Sequence, residues 1–337
     1  MRREHLRRHP AAHFAGGDQR ADDKNGRLGS GVSHAPYVCL CLMMDDSSHT
    51  LLNARLMRSV LFVPGDKLRA LEKAAGLGAD AIILDLEDAV APERKSEARA
   101  SARTAIPGFR AEDLYTVLRI AEPASSELGA DIETAAAASP DAVLIAKIET
   151  PDQLSAVRKR LDDAGYAGPV WAMIETPLGV MNVEAIARQA RLHRLEALVA
   201  GSNDLAEGLR LPENDQRRQT LTPYLSRLVL AARAMGLTVL DAVYNAYRDE
   251  AGFEAEARQG RILGFDGKTL IHPSQIYPVH RAYTPSEAEQ AWAQTVVDAF
   301  ADPANAGKGA VPVEGRMVEH MHLRAARLVL AAAHTKE

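Results

Sequence analysis

The sequence predicts a parallel (β/α)₈ barrel over residues 57–285, followed by a helical extension. From Arg58 onward, short apolar or β-branched runs alternate with longer Ala-, Arg- and Glu-rich stretches of helical period. Eight such runs lie between residues 58 and 272, a span typical of this barrel. A doubly wound open sheet is the alternative, and the lack of a Gly-rich dinucleotide motif after the first run disfavours it.

The elements follow from this alternation. The predicted strands are 58–65, 81–88, 115–120, 142–149, 169–176, 196–204, 237–244 and 264–272. Helices are predicted between them, including 66–77, 93–105, 178–192 and 215–235. Residues 1–56 lack an apolar period and are predicted to be a disordered extension, with Met57 as an alternative start. Residues 286–337 are predicted to form a C-terminal lid or oligomerisation segment.

Composition excludes several classes of function. The net charge is −5 and no basic stripe follows the first ten residues, so nucleic acid is not an expected partner. No apolar run reaches the roughly 18–20 residues of a membrane span. The two cysteines, Cys39 and Cys41, exclude a disulfide framework. A cytoplasmic location is expected.

Charged residues lie where four predicted strands end. Because side chains alternate along a strand, every second residue lies on the same face. One face of each of these strands begins with apolar or aromatic residues and ends in charged ones. The four groups are Ile83, Asp85 and Glu87; Tyr115, Val117 and Arg119; Val143, Ile145, Lys147 and Glu149; and Trp171, Met173 and Glu175. Catalytic groups of such barrels come from the C-terminal ends of the strands. The charges are therefore expected to converge on the barrel mouth.

The expected cluster has too little positive charge. Two cations, Arg119 and Lys147, face five acids: Asp85, Glu87, Glu149, Glu175 and Asp204. A divalent ion would remove the conflict, and oxygen-only ligands favour Mg²⁺ or Mn²⁺ over zinc. The alternative is that each acid is solvated or belongs to a purely structural ion-pair network.

Five ordered motifs resemble one known family. They are "RSVLFVPGD", "LDLEDAVAPERKSEAR", "AMIETPLGV", "GSNDLAEGL" and "GFDGKTLIHPSQI". The sequence is similar over residues 57–333 to the citrate lyase β-subunit and malyl-CoA lyase family of the HpcH/HpaI aldolase-like superfamily. This resemblance implies a (β/α)₈ barrel, a Mg²⁺ ion, and acyl-CoA substrates cleaved or joined at a carbon–carbon bond. A homotrimer or hexamer is the expected assembly.

The resemblance also implies roles for individual residues. Glu175 and Asp204 fall where the family binds its metal, and Arg119 falls where the family contacts the substrate carboxylate and the reacting oxygen. The segment of Gly201, Ser202, Asn203 and Asp204 would border that carboxylate. Lys67 and Arg69 could reach the CoA phosphates, or could simply be solvated. Residues with a supporting role, which would orient Arg119 or metal-bound water, are Asp85, Glu87, Lys147 and Glu149, whereas Asp88 would cap the next turn.

Two positions depart from the family pattern. Ala121 stands where an Asn is expected after Arg119. In "GRMVEHMHL", Glu319 stands where the family has an Asp that acts as acid/base in a neighbouring subunit's site. Glutamate is one methylene longer, so proton transfer would persist with altered geometry. The departure at Glu319 weakens a malyl-CoA thioesterase or malate-synthase-like activity more than simple lyase chemistry. His272, before Pro273, is expected to be structural.

The expected activity is Mg²⁺-dependent cleavage of a carboxylated 3-hydroxyacyl-CoA of the citryl-, malyl- or citramalyl-CoA type. The products would be a 2-oxo acid or related acid and an acyl-CoA. One alternative is a metal-dependent aldolase acting on free 4-hydroxy-2-oxo acids. Another is a β-subunit that acts only within a larger lyase complex.

Overall fold

Eight parallel strands form a closed barrel in the computed structural model, which describes residues 56–214 and 216–333. Each strand pairs with the next, and the last pairs with the first. The strands are β1 (Ser59–Pro64), β2 (Ala81–Asp85), β3 (Tyr115–Ile120), β4 (Ala142–Ile145), β5 (Val170–Ile174), β6 (Leu195–Ala200), β7 (Thr238–Asp241) and β8 (Gly267–Leu270). The predicted barrel is confirmed. The prediction of disorder for residues 1–56 concerns a segment that, except for Leu56, lies outside the described residues.

Helices follow the strands and cover the outside of the barrel. Around the barrel they are α1 (Leu68–Ala74), α2 (Lys95–Ala111), α3 (Leu128–Ala138), α4 (Pro151–Asp163), α5 (Pro177–Ala187), α6 (Ala190–His193), α7 (Ser202–Gly208), α8 (Arg217–Met235), α9 (Glu250–Leu263) and α10 (Ile276–Tyr283). None of the helices within the described ranges is long and apolar enough to cross a membrane.

The barrel has separate inner and outer apolar layers. Side chains that fill the interior include Val60, Ile83, Val117, Leu144 and Trp171. The outer layer joins the opposite strand faces to the helices. Closure between β8 and β1 requires glycine at 267, because a Cβ there would overlap the backbone of Met57.

The predicted alternation of side chains is correct for β2, β3 and β5 but wrong for β4. In β4 the interior residues are Ala142 and Leu144, whereas Val143 and Ile145 face the helices. The strand ends at Ile145, earlier than predicted, and Lys147 has a φ of 50°. This left-handed residue redirects the chain. Lys147 therefore reaches the mouth through a turn, since strict alternation would have sent it outward.

The C-terminal segment contains two helices and a hairpin. Helices α11 (Glu287–Ala301) and α12 (His320–Ala333) flank the antiparallel strands β9 (Ala310–Val313) and β10 (Arg316–Glu319). The turn between the strands has positive φ at Glu314 and Gly315, as expected of a two-residue hairpin loop. These elements share a small apolar cluster made of Ala293, Val296, Val311, Val313, Val318 and Ala326. The extension is therefore not purely helical, and its function as a lid or in oligomerisation stays a prediction.

Candidate active site

A pocket of about 290 Å³ opens at the C-terminal end of the barrel strands. Its charged lining comes from residues at or just after the ends of β2, β3 and β5 and from the start of α7. The lining residues are Phe62, Asp85, Asp88, Ala89, Arg119, Met173, Glu175, Ala200, Gly201, Ser202, Asn203, Asp204, Val243 and Ile271. Most of the predicted site residues thus meet in one place. Small-molecule sites of barrel enzymes occupy this end.

Arg119 is held by Asp85 from the neighbouring strand. The two residues are register partners on β2 and β3, so their side chains leave the same face of the sheet. Arg119 donates to Asp85 through Nε at 2.7 Å and through Nη2 at 2.6 Å. Asp85 also accepts the backbone N–H of Glu87 at 2.8 Å. This geometry supports the predicted role of Asp85, because the paired guanidinium cannot rotate freely.

The remaining guanidinium nitrogen of Arg119 contacts other side chains. Nη1 is 3.1 Å from Glu87 Oε2 and 3.8 Å from the sulfur of Met173. The ring of Phe62 packs against the guanidinium, with Cζ 5.0 Å from its centroid. Arg119 is 7% exposed, so its charge is partly desolvated and acts strongly on nearby groups.

Glu87 and Asp88 share the loop after β2 with opposite pKa shifts. Burial raises the pKa of Glu87, and the adjacent Asp88 adds to this, although Arg119 and Lys147 oppose it. Burial would also raise the pKa of Asp88, but its contacts with Glu87, Arg119 and Lys147 outweigh burial and lower it. Lys147 Nζ is 2.9 Å from Glu87 Oε1 and 3.6 Å from Asp88 Oδ1. The loop is thus a shared acidic surface facing two cations.

Glu175 is a buried acid with too little positive charge around it. It is 2% exposed, and Oε1 accepts the backbone N–H of Lys147 at 2.9 Å. Burial raises its pKa to about 8, with Asp204 and Glu87 adding to the shift and Arg119 opposing it. Close packing keeps it in place, because a Cβ on Gly201 would overlap the Glu175 side chain.

Asp204 is a second acid of the pocket with too little positive charge around it. Its Oδ2 atom is buried and has no hydrogen-bond partner within the described part of the chain. The nearest ion-pair partner given by the structure is Lys147, whose Nζ lies 3.6 Å away. A buried carboxylate oxygen without a donor is costly, and a cation between Asp204 and Glu175 would satisfy both acids.

The residues present fit a Mg²⁺ ion. The candidate ligands are carboxylate oxygens, which Mg²⁺ prefers, and it commonly takes only one or two from the protein. In residues 56–214 and 216–333, no group of three or more His, Cys, Asp or Glu side chains is arranged to hold an ion. That result is compatible with a two-carboxylate site completed by water and substrate.

Gly201, Ser202 and Asn203 also border the pocket, as expected. Asn203 exchanges amide hydrogen bonds with Asn245 on the loop after β7: Asn245 Nδ2 donates at 2.8 Å and Asn203 Nδ2 donates at 3.3 Å. Arg217 Nη2 donates to the Asn203 carbonyl at 3.3 Å. These contacts fix the start of α7, which carries Asp204.

Glu149 is not among the pocket-lining residues of the described chain. Its backbone N–H donates to Gln153 Oε1 at 2.8 Å, and its carbonyl accepts from Asn182. It therefore belongs to the capped start of α4, where Thr150 and Gln153 form a capping box. The predicted supporting role of Glu149 in the site stays a prediction, and β4 ends four residues before it.

Five further predicted residues are absent from the pocket lining that the described residues provide: Glu87 and Lys147, which pair with lining residues, and Lys67, Arg69 and Glu319. Lys67 and Arg69 are exposed, and Lys67 Nζ is 3.3 Å from Asp66. Glu319 is exposed at the end of β10, where its N–H donates to His322 Nδ1 at 2.9 Å. Their roles stay predictions. His272 accepts the N–H of Ser274 through Nδ1 and caps a 3₁₀ turn, in agreement with a structural role.

Phe62, Lys95 and Asn245 were not identified from the sequence. Lys95 donates through Nζ to the carbonyls of Leu86 and Glu87, at 2.7 and 2.6 Å, and so braces the acidic loop. Its position in the "APERKSEAR" motif could have identified it as a residue of the site. Phe62 could have been found from its place on the inward face of β1, whereas nothing local in the sequence identifies Asn245.

Comparison with known proteins agrees with this architecture. The family model described as HpcH/HpaI aldolase/citrate lyase matches residues 58–273. A (3S)-malyl-CoA thioesterase of Cereibacter sphaeroides is 43% identical over 281 residues, covering 83% of this chain and 95% of the relative. The citrate lyase subunit beta of Escherichia coli is 34% identical over 287 residues, covering 83% of this chain and 94% of the relative.

Among solved structures, CitE from Mycobacterium tuberculosis, in complex with magnesium, acetoacetate and coenzyme A, has a TM-score of 0.70 and 31% identity. The match covers 82% of this chain and 98% of that chain. With the family model matching residues 58–273 and the mouth residues Arg119, Glu175 and Asp204 in one pocket, the chain belongs to the HpcH/HpaI aldolase/citrate lyase family.

Proposed function

We propose that this protein is a Mg²⁺-dependent carbon–carbon lyase acting on a carboxylated 3-hydroxyacyl-CoA of the malyl-, citramalyl- or citryl-CoA type. The observation that carries the proposal is the pair Glu175 and Asp204, two acids short of positive charge beside a fixed guanidinium. The related CitE structure, which contains magnesium and coenzyme A, supports both the ion and the thioester.

Glu175 and Asp204 would hold the ion. When bound, Mg²⁺ supplies Lewis-acid chemistry that lowers the pKa of the substrate hydroxyl. Arg119 would contact the oxygen on which negative charge changes during the reaction, because it lines the pocket while its Nε and Nη2 are fixed by Asp85. Preorganised donors of this kind need no rearrangement when the transition state forms.

The reaction would be a retro-aldol cleavage, also described as retro-Claisen. The hydroxyl passes its proton to a carboxylate of the site, its carbon becomes the carbonyl of the oxo acid, and the bond to the thioester α-carbon breaks. The electron pair of that bond remains on the thioester fragment as an enolate. A protonated side chain then delivers a proton to the α-carbon and yields the acyl-CoA. Glu319 from a neighbouring subunit is the proposed donor, and Lys67 and Arg69 are proposed to contact the CoA phosphates.

A second candidate activity is hydrolysis of the thioester. The relative that is 43% identical carries the name (3S)-malyl-CoA thioesterase. Malyl-CoA separates the two activities, since cleavage gives glyoxylate and acetyl-CoA whereas hydrolysis gives malate and free CoA. Chromatography of the products with the purified chain alone also tests whether a larger lyase complex is required. A third assay, pyruvate condensation with aldehydes, tests for an aldolase that needs no CoA.

The ligand assignment is tested by Glu175→Gln and Asp204→Asn. Each substitution is expected to lower Mg²⁺-dependent kcat/KM by about 1,000-fold or more, because several kcal/mol of charge stabilisation is lost. Glu149→Gln is the matched control, since this acid also follows a barrel strand but does not line the pocket. Full metal-dependent activity in Glu175→Gln would exclude this residue as a ligand.

A further inference from the structure

Lys147 contacts both proposed metal ligands. Its backbone N–H donates to Glu175 Oε1 at 2.9 Å, and its Nζ lies 3.6 Å from Asp204 Oδ2. The same ammonium is 2.9 Å from Glu87 and 3.6 Å from Asp88. A single residue thus links four acids at the mouth. No other lysine in the described ion pairs joins that many carboxylates.

The backbone of Lys147 is held in a conformation that side chains rarely adopt. Its φ of 50° is left-handed, which costs roughly 1–2 kcal/mol for a residue other than glycine. The turn places the N–H on Glu175 and sends the side chain toward the acidic loop. Because the strain belongs to the backbone, replacing the side chain by another unbranched one leaves the turn unchanged.

The ammonium group of Lys147 is paired with three carboxylates, those of Glu87, Asp88 and Asp204. These contacts place a positive charge next to Asp204.

We propose that Lys147 is the internal counter-ion of the metal-free site, and that its ammonium competes with the divalent cation for Asp204. It is a positioning residue: it holds the acids together before the ion binds and then remains paired with Glu87 and Asp88. The inference rests on the proposed metal site. The Asp204 oxygen has Lys147 as its nearest cation but no hydrogen bond to it.

The test measures Mn²⁺ binding to the full-length, metal-free protein by electron paramagnetic resonance, without substrate. Lys147→Met is expected to bind Mn²⁺ at least tenfold more tightly, because a competing charge is gone. Lys147→Arg keeps the charge and should stay within about twofold of the parent. Lys159→Met is the matched control: it removes one lysine charge from an exposed pair with Asp163 on α4. It is expected to leave the affinity unchanged.

A second readout is the melting temperature in EDTA. Lys147→Met is expected to melt below the parent without metal and to regain more stability than the parent when Mg²⁺ is added. Should Lys147→Met fail to fold, Lys147→Gln replaces it. Unchanged or weaker Mn²⁺ binding in the uncharged variants would overturn the inference.

The outcomes separate this inference from the proposed function. If Glu175→Gln binds Mn²⁺ as the parent does while Lys147→Met binds it more tightly, the competition at Asp204 stands and the ligand set is wrong. If Glu175→Gln loses Mn²⁺ while Lys147→Met binds as the parent does, the metal site stands and Lys147 is not its competitor.

Discussion

The guanidinium of Arg119 and the carboxylate of Asp85 form a two-point pair, with N–O distances of 2.7 and 2.6 Å, between neighbouring barrel strands. Asp85→Asn removes the charge and one acceptor, so Arg119 is expected to lose its fixed orientation. The expected result is a fall in kcat of about 10- to 100-fold, the usual cost of losing such a support. Mn²⁺ affinity should change much less, and a variant with parental kcat would contradict this role.

Gly201 packs against Glu175, and the contact leaves no room for a methyl group. In Gly201→Ala the new Cβ would lie 2.6 Å from Glu175 Oε2 and would overlap the rest of that side chain. Displacement of Glu175 is expected to weaken Mn²⁺ binding by at least tenfold, or about 1.4 kcal/mol. Gly129→Ala on α3 is the control, because its nearest atom would be 3.5 Å away. Equal Mn²⁺ titrations for both variants would show that Glu175 does not need this packing.

Asp241, at the end of β7, is fully buried between two cations. Arg218 Nη1 and Nη2 donate to it at 2.8 and 2.9 Å, and Lys268 Nζ lies 3.2 Å away. Burial would raise the pKa of Asp241, but Lys268 and Arg218 outweigh it and lower the pKa. Its stabilising contribution is therefore present above the unfolded pKa of about 3.9 and is lost as pH falls through the lower folded value.

Asp241→Asn is expected to lower the free energy of unfolding by about 3 kcal/mol at pH 7, because the buried Lys268 and the half-buried Arg218 lose the carboxylate that they share. The difference from the parent should shrink below about pH 4, where the parent also loses this charge. Urea unfolding at pH 7 and pH 3 measures both values. Asp163→Asn, in an exposed pair with Lys159, should cost under about 1 kcal/mol. A pH-independent difference would contradict the proposed linkage.

Glu319 is exposed within its own chain, so its proposed role requires a neighbouring subunit. Glu319→Gln and Glu175→Gln are each expected to be inactive alone. Co-expressed with different tags and purified as mixed assemblies, they should recover activity at about a third of the sites in a trimer and about a quarter in a hexamer, since each site draws its two residues from different subunits. If the mixed assemblies are as inactive as the assemblies of either single variant, the proton donor is a different residue.

The strand pattern predicted the fold and the centre of the site because both follow from local rules. Asp85, Arg119 and Glu175 leave strands that run straight to the mouth, so the period of two carries over from sequence to structure. The same rule fails after Ile145, where β4 ends and the left-handed turn at Lys147 begins. Side chains alternate between the two faces only while the backbone stays extended. Lys147 therefore reaches the barrel mouth through the left-handed turn, and Glu149 does not line the pocket.

Contacts between residues far apart in the sequence cannot be predicted from a local pattern. The hydrogen bonds between Asn203 and Asn245 join residues that are 42 positions apart, and no motif at either residue indicates its partner. The hairpin of β9 and β10 was missed for another reason. Its alternating residues and Glu314–Gly315 turn are visible in the sequence, but the helical composition on both sides dominated the prediction.

The hairpin and the two helices around it have an apolar cluster of their own, separate from both layers of the barrel. Because no barrel strand contributes to this cluster, we expect these elements to open locally while the barrel strands keep their packing. Backbone amides of β9 and β10 should exchange with deuterium through this local opening, well before those of β2 to β5. A catalytic group carried on β10 would then be delivered and withdrawn by a small unfolding event, while the acids at the barrel mouth keep their arrangement.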